Sequence, residues 1–144
     1  MEKVFIDADA FVALVRVKDK NHRKAKRVYK YLKKKKASFF SSNTSLYEAV
    51  TVISQKISHK KAKEFLIKVH QGLSVIFINP EREKRATFIF SKQISKNVSF
   101  FDCLNMAIMK ELGIKEILSF DEDYKKNNFL RIGIDKNLQN ELSH

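Results

Sequence analysis

Residues 3–14 read KVFIDADAFVAL. Val4, Phe5 and Ile6 are β-forming residues, and they run into two carboxylates, Asp7 and Asp9, after which DAFVALVRV reads as a short helix. The same step recurs along the chain. NHRKAKRVYKYLKKKK sets Ala25, Val28, Tyr29 and Leu32 on one helical face, and ASFFSS follows as a strand. SLYEAVTVISQKI places Leu46, Ala49, Val50 and Ile53 at helical spacing, and HKKAKEFLIKVH is a further helix closed by Gly72. SVIFI is a third strand. Pro80 opens the helical EREKRATFIFSKQI, and FFDCLNMAIMKEL is a helix stopped by Gly113. EILSF and LRIGI supply the last strands. Strands alternating with helices imply an α/β domain around a mostly parallel sheet.

A chain of 144 residues is one domain in size, expected over residues 1–135 with 136–144 as a C-terminal tail. The composition is globular, 44% hydrophobic and 31% charged, with three glycines and one proline. Twenty-nine Lys and Arg against 16 Asp and Glu give a formal charge of +13, which favours a polyanionic partner, nucleic acid first and an anionic membrane surface second. Cys103 stands alone, so no internal disulfide can form and a reducing compartment is expected. No apolar run reaches the ~18 residues of a membrane-spanning helix. The opening MEKVFIDADA lacks a signal-peptide layout, so the expectation is a cytoplasmic protein without a membrane partner.

In such a sheet, sites form beyond the carboxyl ends of the strands. Asp7 ends the first strand and Asp121 the fourth, in SFDEDY. Glu48 is expected in the first turn of the helix leaving the second strand. Asp102 is expected in the first turn of the helix that feeds the fourth strand, and that helix must begin at the same rim. Each acid also has a plain structural reading. SLYE and SFFD fit the capping-box spacing, Asp7 can cap the helix after it, and Asp121 and Asp123 suit a turn. Together, however, they crowd like charges on one rim, and a divalent cation resolves the repulsion economically. Carboxylate oxygens suit Mg²⁺ or Mn²⁺. Zinc is disfavoured, because His22, His59, His70 and His144 show no ligand spacing and read as surface or helix-end residues. The glycines form no phosphate loop, there is no G-x-S-x-G elbow, and Cys103 reads as core.

The positive charge is concentrated. Arg16, Lys18, Lys20, Arg23, Lys24, Lys26, Arg27 and Lys30 precede the lysine run 33–36, with Asp19 the only acid among them. A solvated helix face explains part of this. A one-sided field of that kind also attracts phosphates.

An acidic rim on a basic α/β domain of this length resembles the PIN-domain ribonucleases, and within them the VapC-type toxins of toxin–antitoxin pairs. The likeness spans nearly the whole chain. VFIDADAFVAL matches the opening strand and aspartate, TSLYEAV the helix with an early glutamate, FFDCLNMAI the helix beginning near an aspartate, and SFDEDY the final hydroxyl-x-Asp motif. The resemblance implies a three-layer α/β/α fold in which Asp7, Glu48, Asp102 and Asp121 hold Mg²⁺ or Mn²⁺ and hydrolyse RNA. Asp123 is expected either to share the metal with Asp121 or to cap the turn. Ser119, Arg16, Lys20, Arg23, Lys24 and Arg27 are expected to meet the substrate, and a small antitoxin and a homodimer are implied as partners. Asp9 departs from the family's usual Ser or Thr, Ser119 stands for Thr, and Tyr124 for Phe. Two other readings stand beside this one. The DAD motif and Ser41 also fit a haloacid-dehalogenase-type phosphatase, with Asp7 as nucleophile and Asp9 as general acid. A non-catalytic module that binds RNA or an antitoxin would keep the acids idle.

Overall fold

A computed structural model of the chain describes residues 2–139. His144 and residues 140–144 of the expected tail lie outside the described residues. The elements run β1 (Lys3–Ile6), α1 (Ala8–Val15), α2 (His22–Lys34), β2 (Ser38–Ser42), α3 (Asn43–Lys56), α4 (His59–Val69), β3 (Ser74–Ile76), α5 (Pro80–Ser91), α6 (Phe100–Leu112), β4 (Glu116–Leu118), α7 (Asp123–Lys126) and β5 (Leu130–Arg131).

The five strands form one parallel sheet in the order β3-β2-β1-β4-β5. Alternation along β1 divides its side chains between two layers. Val4 and Ile6 face a core with Phe11, Val28, Leu46, Ile53 and Ala62 from α1 to α4, while Phe5 faces one built from Ala86, Ile89, Leu104, Met106 and Ile108 of α5 and α6. β4 repeats the split, with Leu118 on the first side and Ile117 on the second. The sheet is therefore covered on both faces, as parallel sheets require, and the molecule has three layers. Leu138 packs against the first core, and Lys136 pairs with Glu116, so residues 136–139 lie against the domain.

The order reverses beside β1: β2 and β3 extend the sheet one way, β4 and β5 the other. This switch point opens a crevice beyond the carboxyl ends of β1 and β4. Asp7 follows β1 directly and continues the ladder by donating its N–H to Leu118 O at 3.1 Å. Ser119 follows β4 and is fully buried.

One boundary changes the reading of an acid. α3 begins at Asn43, with Ser42 as its cap accepting the Ser45 N–H at 3.0 Å. Glu48 therefore stands in the second turn, not the first, and the Ser45–Glu48 capping box does not exist. The reason is local: β2 passes straight into the helix, so the first hydroxyl at the join takes the cap. The strands are shorter than the apolar runs suggested, β3 spanning only Ser74–Ile76 and β4 Glu116–Leu118. Among the described residues, no helix is long and apolar enough to cross a membrane.

Candidate metal centre

Asp7 is delivered by β1 and held from three sides. Its Oδ1 accepts from Ala8 N–H at 2.7 Å, so the expected helix cap is realised, and also from Asn105 Nδ2 at 3.2 Å. Its Oδ2 faces the Ser119 hydroxyl at 3.2 Å. Burial first, then the Asp9 charge, pushes the Asp7 carboxyl up to about 8.

Asp102 sits in the first turn of α6 and is 6% exposed. Ser99 caps that helix by accepting the Phe101 N–H at 3.1 Å, which leaves Asp102 free for other contacts. Its Oδ1 accepts from the Tyr124 hydroxyl at 3.1 Å, and its Oδ2 is buried without a donor. Burial, then the neighbouring Asp121 and Asp7, pushes it up to about 9. Asp121 and Asp102 are both acceptors unless one of them carries a proton. Asp121 Oδ1 also takes the Asp123 N–H at 2.9 Å, so the turn reading holds as well.

Carboxylate oxygens of Asp102, Asp121 and Asp123 all lie within 4.8 Å of one another. Asp7 is not in that tight group; it is joined to Asp102 through Asn105 and Tyr124. Glu48 is more exposed and faces a different space. It lines a cavity of about 560 Å³ with Asp9, Arg16, Lys18, Asp19, Lys20 and Lys56. Its charge still reaches Asp7, and burial raises its own carboxyl. Asp9 Oδ2 accepts from Phe120 N–H at 2.9 Å, while its Oδ1 is buried and unpartnered; burial lifts this group to about 6.

The donor set suits a hard divalent cation. It consists of carboxylate oxygens of Asp102, Asp121 and Asp123, one of which, Asp102 Oδ2, is buried without a donor. Among the described residues, Asp7, Asp9, Glu48, Asp102 and Asp121 form no ion pair; Asp123 meets Lys126 at 4.0 Å, a lysine that also pairs with Glu122 at 3.8 Å. Clustered acids kept from protein cations in this way are balanced either by protons or by a metal.

Of the basic residues singled out in the sequence, Arg16 and Lys20 line the cavity beside Glu48, whereas Arg23, Lys24 and Arg27 are exposed on α2 and do not. Lys18 and Lys56 line it without having been singled out as substrate contacts. Ser41 donates to Ile6 O at 2.6 Å and is fully buried, so it offers no hydroxyl to a phosphate, against the phosphatase reading. Cys103 is fully buried, as core. Asn105 and Tyr124 were missed as site components. No periodicity or motif marks a single asparagine in an apolar helix, and Tyr124 appeared only as a departure from Phe.

The PIN domain family model matches residues 4–130. The chain belongs to the PIN domain family. Its fold is similar to that of Mycobacterium tuberculosis VapC20, a toxin that cleaves the sarcin–ricin loop. The TM-score is 0.78 and the identity 25%, over 88% of this chain and 96% of that one. No curated protein sequence matches the chain. In this PIN domain, Asp102, Asp121 and Asp123 form the close group, Asp7 is linked to Asp102 through Asn105 and Tyr124, and Glu48 lies on the flank lined by the basic cavity.

Proposed function

We propose that this PIN domain is a metal-dependent endoribonuclease, the toxin of a toxin–antitoxin pair, with Asp7, Glu48, Asp102 and Asp121 as its working acids and Asp123 as a further ligand. The observation that carries this reading is the close group of Asp102, Asp121 and Asp123 at the end of the parallel sheet, with Asp102 buried and its Oδ2 without a donor. Asp102, Asp121 and Asp123 would hold the ion, with Asp7 and Glu48 beside them, and Mg²⁺ or Mn²⁺ suits oxygen donors best. When bound, such an ion supplies Lewis-acid chemistry, activating a water and offsetting charge that builds on the phosphate.

The protein's own residues do the rest. Ser119 lies between Asp7 Oδ2 and Asp9 Oδ2, at 3.2 and 3.4 Å, and orients both carboxylates with its single proton. The same oxygen accepts the Asp121 N–H at 3.1 Å, tying the loop after β4 to the end of β1. Arg16, Lys18, Lys20 and Lys56 line the wall of the cavity that also contains Glu48 and Asp9, so a phosphate backbone passing through it is drawn toward the acids. In this reading substrate guidance falls to the α1–α2 connection and the end of α3, with Arg23, Lys24 and Arg27 on α2 outside the cavity.

The resemblance to a VapC toxin supports RNA as substrate and a small antitoxin as partner. A homodimer is supported by Phe88 and Phe90 of α5, Ile94 just beyond it and Phe101 of α6, four large apolar side chains at least 44% exposed. Sedimentation of wild type beside Phe88→Glu checks this: a dimer dissociated by the substitution is expected, and a monomeric wild type discards it. Residues 2–139 behave as one PIN domain in this reading.

Cleavage of RNA with Mg²⁺, Mn²⁺ or EDTA tests the activity. Wild type should cleave with either metal and stop in EDTA, and Asp7→Asn should lose more than about a hundredfold, beyond the usual cost of outer-shell changes. A purified Asp7→Asn that cleaves as fast as wild type removes the assignment.

A further inference from the structure

Asn105 is fully buried in the stretch of α6 that also buries Cys103, Leu104, Met106, Ala107, Ile108 and Met109. Only Asp102, one turn earlier on the same face, is comparably polar there. An amide in such a place is costly unless it is fully hydrogen-bonded, and this one is. Its Oδ1 accepts from the Ser42 hydroxyl at 2.7 Å and the Ser45 hydroxyl at 3.1 Å. Its Nδ2 donates to Asp7 Oδ1 at 3.2 Å and to the Tyr124 oxygen at 3.0 Å. Tyr124, also fully buried, donates its hydroxyl hydrogen bond to Asp102 Oδ1 at 3.1 Å.

The arrangement has a direction. The amide oxygen takes two serines of the scaffold, one of them the cap of α3, the helix that carries Glu48. Both amide hydrogens go toward the acids, one directly and one through a phenol. Turning the amide over would set its oxygen against the Asp7 carboxylate, so the orientation is fixed by charge. Four elements meet at this one side chain: the end of β1, the start of α3, α6 and α7.

We propose that Asn105 is a positioning residue of the metal centre, which with Tyr124 sets the separation and facing of Asp7 and Asp102. The proposal rests on the metal-dependent reading above. If the role were only to fill space, an apolar residue of similar volume would serve α6 equally well. What an apolar residue cannot do is hold two carboxylates from different elements in a fixed relation by hydrogen bonds. Outer-shell groups that hold ligands in place typically carry about 10–100-fold of metal affinity or activity.

The experiment compares wild type with Asn105→Leu and Tyr124→Phe by calorimetric titration with Mn²⁺, by melting temperature, and by kcat and KM on RNA. Both variants should bind Mn²⁺ about tenfold or more weakly and lose kcat, with KM for RNA within about twofold of wild type. Tyr124→Phe removes only a hydroxyl, so it decides the matter if Asn105→Leu fails to fold. A folded Tyr124→Phe with wild-type Mn²⁺ affinity and kcat overturns the proposal, as does a wild type that binds no Mn²⁺. A wild type that binds Mn²⁺ yet leaves RNA intact sinks the nuclease reading alone; the calorimetric difference still reads the relay.

Discussion

At the scale of single residues, the acids are arranged against their own charge. Asp7, Asp9 and Asp102 are raised to about 8, about 6 and about 9, with burial the largest cause in each. Their unfolded values lie near ~3.9. The metal-free native state therefore holds more protons than the unfolded one, and these groups stabilise the fold less as pH rises from about 4 toward about 9. A divalent cation takes the place of those protons, so its stabilising effect should grow over the same range. Melting at pH 5, 7 and 8.5, with and without Mn²⁺, should show metal-free stability declining with pH and the metal-induced increase widening. A metal increment that shrinks with rising pH counts against the carboxylates as ligands. Asp7 and Asp121 also show why the sequence left structural and functional readings open. Each makes the cap or turn bond expected of it and faces the crevice as well. The two readings were never exclusive, because a carboxylate has two oxygens.

At the scale of elements, legibility followed the punctuation. α6 runs over the thirteen residues its pattern indicated because Ser99 and Gly113 mark its ends, Gly113 with φ of +69°. α3 was misread at its start because Ser41 to Ser45 offers several capping hydroxyls, and pattern alone does not choose among them. The short strands ended early because the last apolar residues of SVIFI and EILSF lie beyond the ladder. Gly133 was read as part of the strand LRIGI, but β5 ends at Arg131 and Gly133 holds the turn after it against α2. Its φ is +85°, and a Cβ there would fall 2.7 Å from Val28 Cγ2. Gly133→Ala combines a left-handed backbone, costing roughly 1–2 kcal/mol, with overpacking of typically ~1–3 kcal/mol. A loss of about 2–5 kcal/mol in denaturant unfolding is the expected result. An unchanged midpoint would mean that α2 yields at that contact.

At the scale of the whole molecule, the charge of +13 and the acidic crevice are parts of one design. The excess was visible from composition, but its working portion was not, because the sequence concentrates it on α2 while the fold brings Lys56, at the end of α3, beside Arg16, Lys18 and Lys20. Forty residues separate Arg16 from Lys56, and only the packing of α1 on α3 makes them neighbours. Binding of a single strand should fall with salt at a log–log slope of about −0.7 for each phosphate neutralised. Lys18→Gln and Lys56→Gln should each flatten that slope by about 0.7–1 and weaken RNA binding at low salt, while leaving kcat at saturation close to wild type. Arg23→Gln and Arg27→Gln, on the exposed face of α2, should change the slope by much less, since neither side chain lines the cavity. Equal effects from the two pairs would place the RNA along α2 and remove the cavity from its path.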